Sequence, residues 1–97
     1  MANKIKIRPG QTIALKLSPD ERELLLKNLI FVDDEVEGKL RLVVAGANDV
    51  QLTLADMEDL VGCVAAEANH TKDRRLGKKL DRIADRIDGL LKLFEEG

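Results

Sequence analysis

Leu76, Leu80, Ile83, Ile87, Leu90 and Phe94 recur at steps of 4, 3, 4, 3 and 4, the spacing that gathers side chains on one edge of an α-helix. An apolar edge of that length has to be covered, so it constrains the fold more than any other feature of the chain. It predicts one long helix that starts near Lys72 or Asp73, runs toward Glu95 and lies lengthwise against another surface. Ala84 and Leu91 widen the edge on one side, which fits packing in a globular core better than an isolated coiled coil.

The segment just before it is the natural cover. Thr53-Leu54-Ala55-Asp56 reads as a helix start, with a capping hydroxyl and an acid three residues on. Leu54, Met57, Leu60, Val61, Val64, Ala65 and Ala68 then fall on one face, and Gly62, Ala65 and Ala66 are small enough to admit a neighbouring helix backbone. Asn69-His70-Thr71 interrupts the pattern so briefly that the two helices are expected to form an antiparallel hairpin.

The first half of the chain reads differently. Ile5 and Ile7, then Ile13, Leu15 and Leu17, alternate with polar residues as half-buried strands do, and Pro9-Gly10 reverses the chain between them. The pair suits a type II turn, whose twist matches a tight hairpin poorly, so a looser reversal is expected. Ser18-Pro19-Asp20-Glu21 carries a cap, a proline at the first helical position and an acid placed for a capping box. Leu24, Leu25, Leu26, Leu29 and Ile30 supply the apolar face of that helix, which should fade between Phe31 and Asp34. Between Asp34 and Ala45, Val36, Leu40, Val43 and Val44 favour a short helix, while Lys39 to Leu42 alternates and Gly38 weakens both readings. Gly46 to Asp49 is loop chemistry and Val50 to Leu52 another short strand. The runs Leu15–Glu21 and Val50–Asp56, both a strand leading to a capped helix, align at an offset of 35 residues, as convergent cap chemistry or, less favoured, an internal duplication would produce.

These elements predict one domain, 1-97, of the α+β class, mostly helical, with a small N-terminal sheet packed against helices that include the C-terminal hairpin. Phe31 and Phe94 are the only aromatic residues among 97, so the core is aliphatic and small, and a small core often recruits a second subunit. A single cysteine, Cys63, cannot bridge within the chain. The N-terminus lacks the apolar run of a signal peptide and no stretch approaches the roughly 18 apolar residues of a membrane span, so a soluble cytoplasmic protein is expected.

Charge is segregated along the chain. Residues 1 to 16 carry Lys4, Lys6, Arg8 and Lys16 with no acid, residues 17 to 59 carry eleven acids against four bases, and residues 72 to 86 carry seven bases against three acids. The ends can therefore neutralise the middle. Lys72, Arg74, Arg75, Lys78, Lys79 and Arg82, with Arg86 beyond them, are the candidate polyanion-binding residues. Asp81, Asp85 and Asp88 interleave with them, and no Trp or Tyr offers a stacking platform for bases.

Other chemistry finds little footing. Glu67 and His70 have the i, i+3 spacing of carboxylate-bridged metal sites in bundles, but one such pair is half of what those sites need. Cys63 lies among apolar neighbours nearly two turns from His70, too far for that imidazole to act as its base. Seven isolated glycines make no phosphate loop. No metal, cofactor or catalytic group is assigned.

The run from Thr12 to Leu25 resembles the opening of ribbon-helix-helix repressors, in which a strand leads into a capped helix. That resemblance implies an obligate dimer with Thr12, Ala14 and Lys16 facing the DNA major groove. It covers fourteen residues, and beyond Ile30 the chain departs from the family's pattern.

The reading that these features support is a non-enzymatic protein-interaction or regulatory module, homodimeric, with the Leu76–Phe94 stripe as its candidate interaction surface. A small nucleic-acid-binding regulator, using the leading strand or the basic helix, is the alternative.

Overall fold

The computed structural model describes residues 4–31, 34–42 and 49–96. Along them run β1 (Ile5–Ile7), β2 (Ile13–Lys16), α1 (Pro19–Asn28), α2 (Asp34–Arg41), β3 (Asp49–Leu52), α3 (Leu54–His70), α4 (Arg74–Leu93) and β4 (Phe94–Glu96). The fold is α+β and mostly helical, and among the described residues no helix is long and apolar enough to cross a membrane.

Both strand-to-helix junctions form as their residues dictate. Ser18 Oγ accepts the Glu21 N–H while the Glu21 carboxylate accepts the Ser18 N–H, a complete capping box. Thr53 and Asp56 repeat the arrangement at the start of α3. Each junction satisfies backbone donors that a helix start leaves without a partner. In both cases a buried strand is tied directly to the helix that follows it. Asp73 caps α4 by accepting the Arg75 and Leu76 N–H groups.

The strands assemble differently from the single sheet expected. β2 pairs antiparallel with β3, Ile13 opposite Leu52 and Leu15 opposite Val50, so that one face carries four buried aliphatic side chains. The other face carries Ala14, Lys16, Gln51 and Asp49, all exposed. β1 does not join this sheet. It pairs parallel with β4 at the other end of the chain, Ile5 opposite Phe94 and Ile7 opposite Glu96. Between β1 and β2 the chain turns through Arg8-Pro9-Gly10-Gln11, closed by the Gln11 N–H donating to Arg8 O at 3.0 Å, with Gly10 at φ 80°. That positive φ is open to glycine at no steric cost.

Pairing with β1 also ends α4 earlier than its apolar period suggests. The helix stops at Leu93, and Phe94 turns extended at φ −119°, ψ 149°, donating its N–H to Leu90 O. Phe94 therefore leaves the helical edge and packs half-buried against the core from a strand. In the same way α1 ends at Asn28; Leu29 is extended and buried, and Ile30 swings out to 88% exposure instead of joining the apolar face. The short helix expected after Asp34 is present as α2, with Val36 and Leu40 buried one turn apart. Val43, Val44 and the expected loop at 46–48 lie outside the described residues.

The core is a single aliphatic cluster. Leu80, Ile83 and Ile87 of α4 join Met57, Leu60 and Val64 of α3, Leu25 of α1, Val36 and Leu40 of α2, and the inner faces of β2 and β3, all buried. α3 and α4, connected by Thr71, Lys72 and Asp73, share the largest contact between any two elements. The close approach between them is made at Gly77, where an added Cβ would meet Thr71 Cγ2 at 3.6 Å and Ala68 O at 3.7 Å. It is not made at Gly62, where an added Cβ would meet nothing within 4 Å.

One buried charge ties α2 to α3. The Asp56 carboxylate, 5% exposed, accepts the Thr53 N–H and pairs with the Lys39 ammonium. Burial pushes its pKa up, but Lys39 and the Thr53 backbone outweigh that and hold the carboxyl below its ordinary range. A lowered folded pKa stabilises above the unfolded value, near about pH 4, and the contribution fades as pH falls through the folded value. Urea unfolding should accordingly show stability flat from neutrality to about pH 5 and falling below about pH 4. Lys39→Met should shallow that acid limb and cost about 1 to 3 kcal/mol at pH 7, since Asp56 then stays buried without its cation.

Candidate functional site

The apolar edge of α4 is divided between core and margin. Leu80, Ile83 and Ile87 are fully buried by the chain's own elements, whereas Leu76, Leu90 and Phe94 are half-buried at its ends. The middle of the edge is therefore closed to any partner while the fold stays intact.

The basic group sits on the opposite side. Lys72, Arg74, Arg75, Lys78, Lys79 and Arg82 are all exposed, and among the described residues none of their side chains forms an ion pair. Arg86 is drawn out of the group. Its guanidinium grips Glu21 with two bonds of 2.9 and 3.0 Å and donates a third, 2.8 Å, to Lys16 O. These bonds hold the end of β2 and the first turn of α1 to the middle of α4. The guanidinium lowers the Glu21 pKa, and the carboxylate raises that of Arg86. Beside this clamp a cleft of about 290 Å³ is lined by Asp20, Glu21, Leu24, Lys79, Arg82 and Ile83, so the acids of α1 border the basic face and weaken its field.

The metal reading gains no further ligands. Glu67 is half-buried and His70, the last residue of α3, is exposed. Among the described residues no group of three or more His, Cys, Asp or Glu side chains is arranged to hold an ion. Cys63 is a free, half-buried thiol. Of the strand residues that the ribbon-helix-helix resemblance points to, Thr12 donates its hydroxyl to Gln51 Oε1 at 3.2 Å, and Ala14 and Lys16 lie on the exposed face of β2, opposite Gln51 and Asp49 of this same chain.

The surface least expected from the sequence lies on the outer side of α3. A cleft of about 450 Å³ is lined by Ile30, Glu58, Asp59, Gly62, Cys63, Ala66, Glu67 and His70. Ile30 forms its apolar wall. Gly62 and Ala66, exposed and one turn apart, leave the helix backbone open along its floor, and Glu58 and Asp59 stand at one end with His70 at the other. Most surface helices carry long charged side chains at such positions. The signal in the sequence is the set of small residues Gly62, Ala65 and Ala66, which admits a neighbouring helix backbone without fixing the side on which it lies. Arg22 reads in the sequence as one more solvated charge between Glu21 and Glu23, yet its Nη1 is buried on α1 with no hydrogen-bond partner among the described residues.

No family model, curated protein or solved structure matches this chain.

The Arg86 clamp can be tested directly. Arg86→Met should lower stability by about 1 kcal/mol in urea titrations, because the pair is partly solvent-screened. Arg86→Lys should restore less than half of the loss, since an ammonium cannot hold both Glu21 oxygens and Lys16 O together.

Proposed function

We propose that this chain is a non-enzymatic protein-interaction module, soluble and cytoplasmic, that binds through the cleft between Ile30 and the outer face of α3. The observation that carries the reading is Ile30, a large apolar side chain 88% exposed beside a helix surface stripped of long side chains at Gly62 and Ala66. An apolar surface rimmed by Glu58, Asp59, Glu67 and His70 has the anatomy of a binding patch, with an apolar centre and a polar margin. The Leu76–Phe94 stripe serves this module as its scaffold, holding α3 in place from behind.

The test compares wild-type protein with the double variant Ile30→Asp, Ala66→Arg as immobilised bait. Both positions are exposed, so both forms should fold alike by circular dichroism. Wild type should retain a defined protein, this chain included, that the variant releases. Identical retention by the two baits would overturn the reading.

The second reading, binding of a nucleic acid, is favoured by one observation: six exposed cations on and before α4 without an ion pair among the described residues. It predicts duplex DNA binding by fluorescence anisotropy whose affinity falls steeply with salt. Reversing Lys78, Lys79 and Arg82 to Glu should abolish that binding, and DNA binding that survives the reversal would refute it.

A further inference from the structure

We infer that the α3 cleft takes a basic amphipathic helix of another protein, which seats its apolar stripe against Ile30, Gly62 and Ala66 and carries lysine or arginine on both flanks. The inference rests on the interaction-module reading and adds the chemistry of the partner. The cleft is lined by three carboxylates, Glu58, Asp59 and Glu67, and by no lysine or arginine. Among the described residues none of the three forms an ion pair, so an arriving cation displaces none of the chain's own. Lys72 and Arg74, the cations that follow α3, lie outside the cleft. A second copy docked here by a two-fold axis would set carboxylates against carboxylates, and a nucleic acid would be repelled in the same way. A basic partner meets the opposite field, which speeds its approach and fixes its orientation.

The placement of the carboxylates argues for a helix. Successive residues of α3 turn by about 100°, so Glu58 and Glu67 fall on opposite margins of its outer face, about 13 Å apart along the axis, with Ala66 between them and Asp59 toward one end. The cleft thus has an apolar middle bordered on both sides by acid. The complement of that pattern is a helix whose apolar stripe runs between two basic rows. Gly62 and Ala66 leave the α3 backbone open over one turn, which lets such a helix lie close. Ile30, the most exposed large apolar side chain among the described residues, then packs against the stripe and leaves water.

The cleft also sets the size of the contact. From Glu58 to His70 is about 18 Å of helix, which a partner segment of about 12 residues covers. A contact of that length buries an area at the low end for specific complexes, so a dissociation constant in the tens of micromolar is expected. Part of that affinity is Coulombic between exposed groups and therefore falls as salt is added.

The probe is a synthetic peptide of about 14 residues, with leucine at helical spacing and lysine on both flanks, titrated into the isotope-labelled full chain and followed by amide chemical shifts. Shifts should move first at Ile30 and along Gly62 to Ala66, with a dissociation constant of about 10 to 300 μM at low salt. The same peptide with every lysine replaced by glutamate should not bind, and one interrupted by prolines should bind at least about tenfold more weakly. Glu58→Lys with Asp59→Lys should weaken binding at least about tenfold. Asp81→Lys with Asp85→Lys makes the same change of net charge at exposed positions of α4 and should weaken it less than about threefold. Ile30→Ser, at an exposed position outside the helices, should weaken binding about threefold or more with thermal unfolding unchanged. No shift at about 1 mM peptide, equal binding by the glutamate or proline peptide, or equal losses from the α3 and α4 charge reversals overturns the inference. If the bait comparison then still retains a protein, the cleft remains an interaction surface and only the chemistry of its partner was wrong; if that comparison fails too, both fall.

Discussion

Covering one edge of α4 is the constraint on which the rest of this fold depends. Leu80, Ile83 and Ile87 are fully buried, and removing three such side chains from water contributes on the order of 5 to 9 kcal/mol before the entropy of ordering is set against it. That is comparable to the whole stability of a small domain. Every other element is arranged around this burial: α3 along one side, the paired strands β2 and β3 presenting Ile13, Leu15, Val50 and Leu52, and α1 and α2 closing over Leu25, Val36 and Leu40. The interaction surface proposed here lies on the side of α3 that this packing leaves open.

Features written within a few residues of one another were legible in the sequence. Ser18 and Glu21, and Thr53 and Asp56, each close a ring over three positions, so a capping box can be recognised from residue types alone. The period of α4 and the alternation of Ile13 and Leu15 are similarly local. The pairing of β1 with β4 joins Ile5 to Phe94, across nearly the whole chain, and no pattern inside either segment announces it. Phe94 shows why the apolar period alone overextends the helix: its spacing from Leu90 suits a further turn, and only the distant strand makes the extended conformation better satisfied.

The cleft was half legible. Gly62 and Ala66 stand out as small residues in a helix, but which side of the helix faces the core is decided by Leu54, Met57, Leu60 and Val64 acting together. Once those four are buried, Gly62 and Ala66 must point away, and the helix contact falls instead to Gly77. The charge segregation along the chain was plain from the start, and its outcome is selective. One base from the C-terminal group, Arg86, crosses to the acidic middle at Glu21, and within the middle Lys39 meets Asp56, while most of the remaining C-terminal bases stay at the surface.

The parallel pairing of β1 with β4 gives the molecule a mechanical character. Because the two strands run in the same direction, tension applied through the flanking residues would pull Ile5 backward and Glu96 forward, loading the short ladder in shear so that its hydrogen bonds share the strain instead of parting one by one. A stretched chain would then have to break this ladder as a unit before α4 could be peeled from the core. The first and last strands thus act as a rivet across a core in which α3 and α4 are packed side by side.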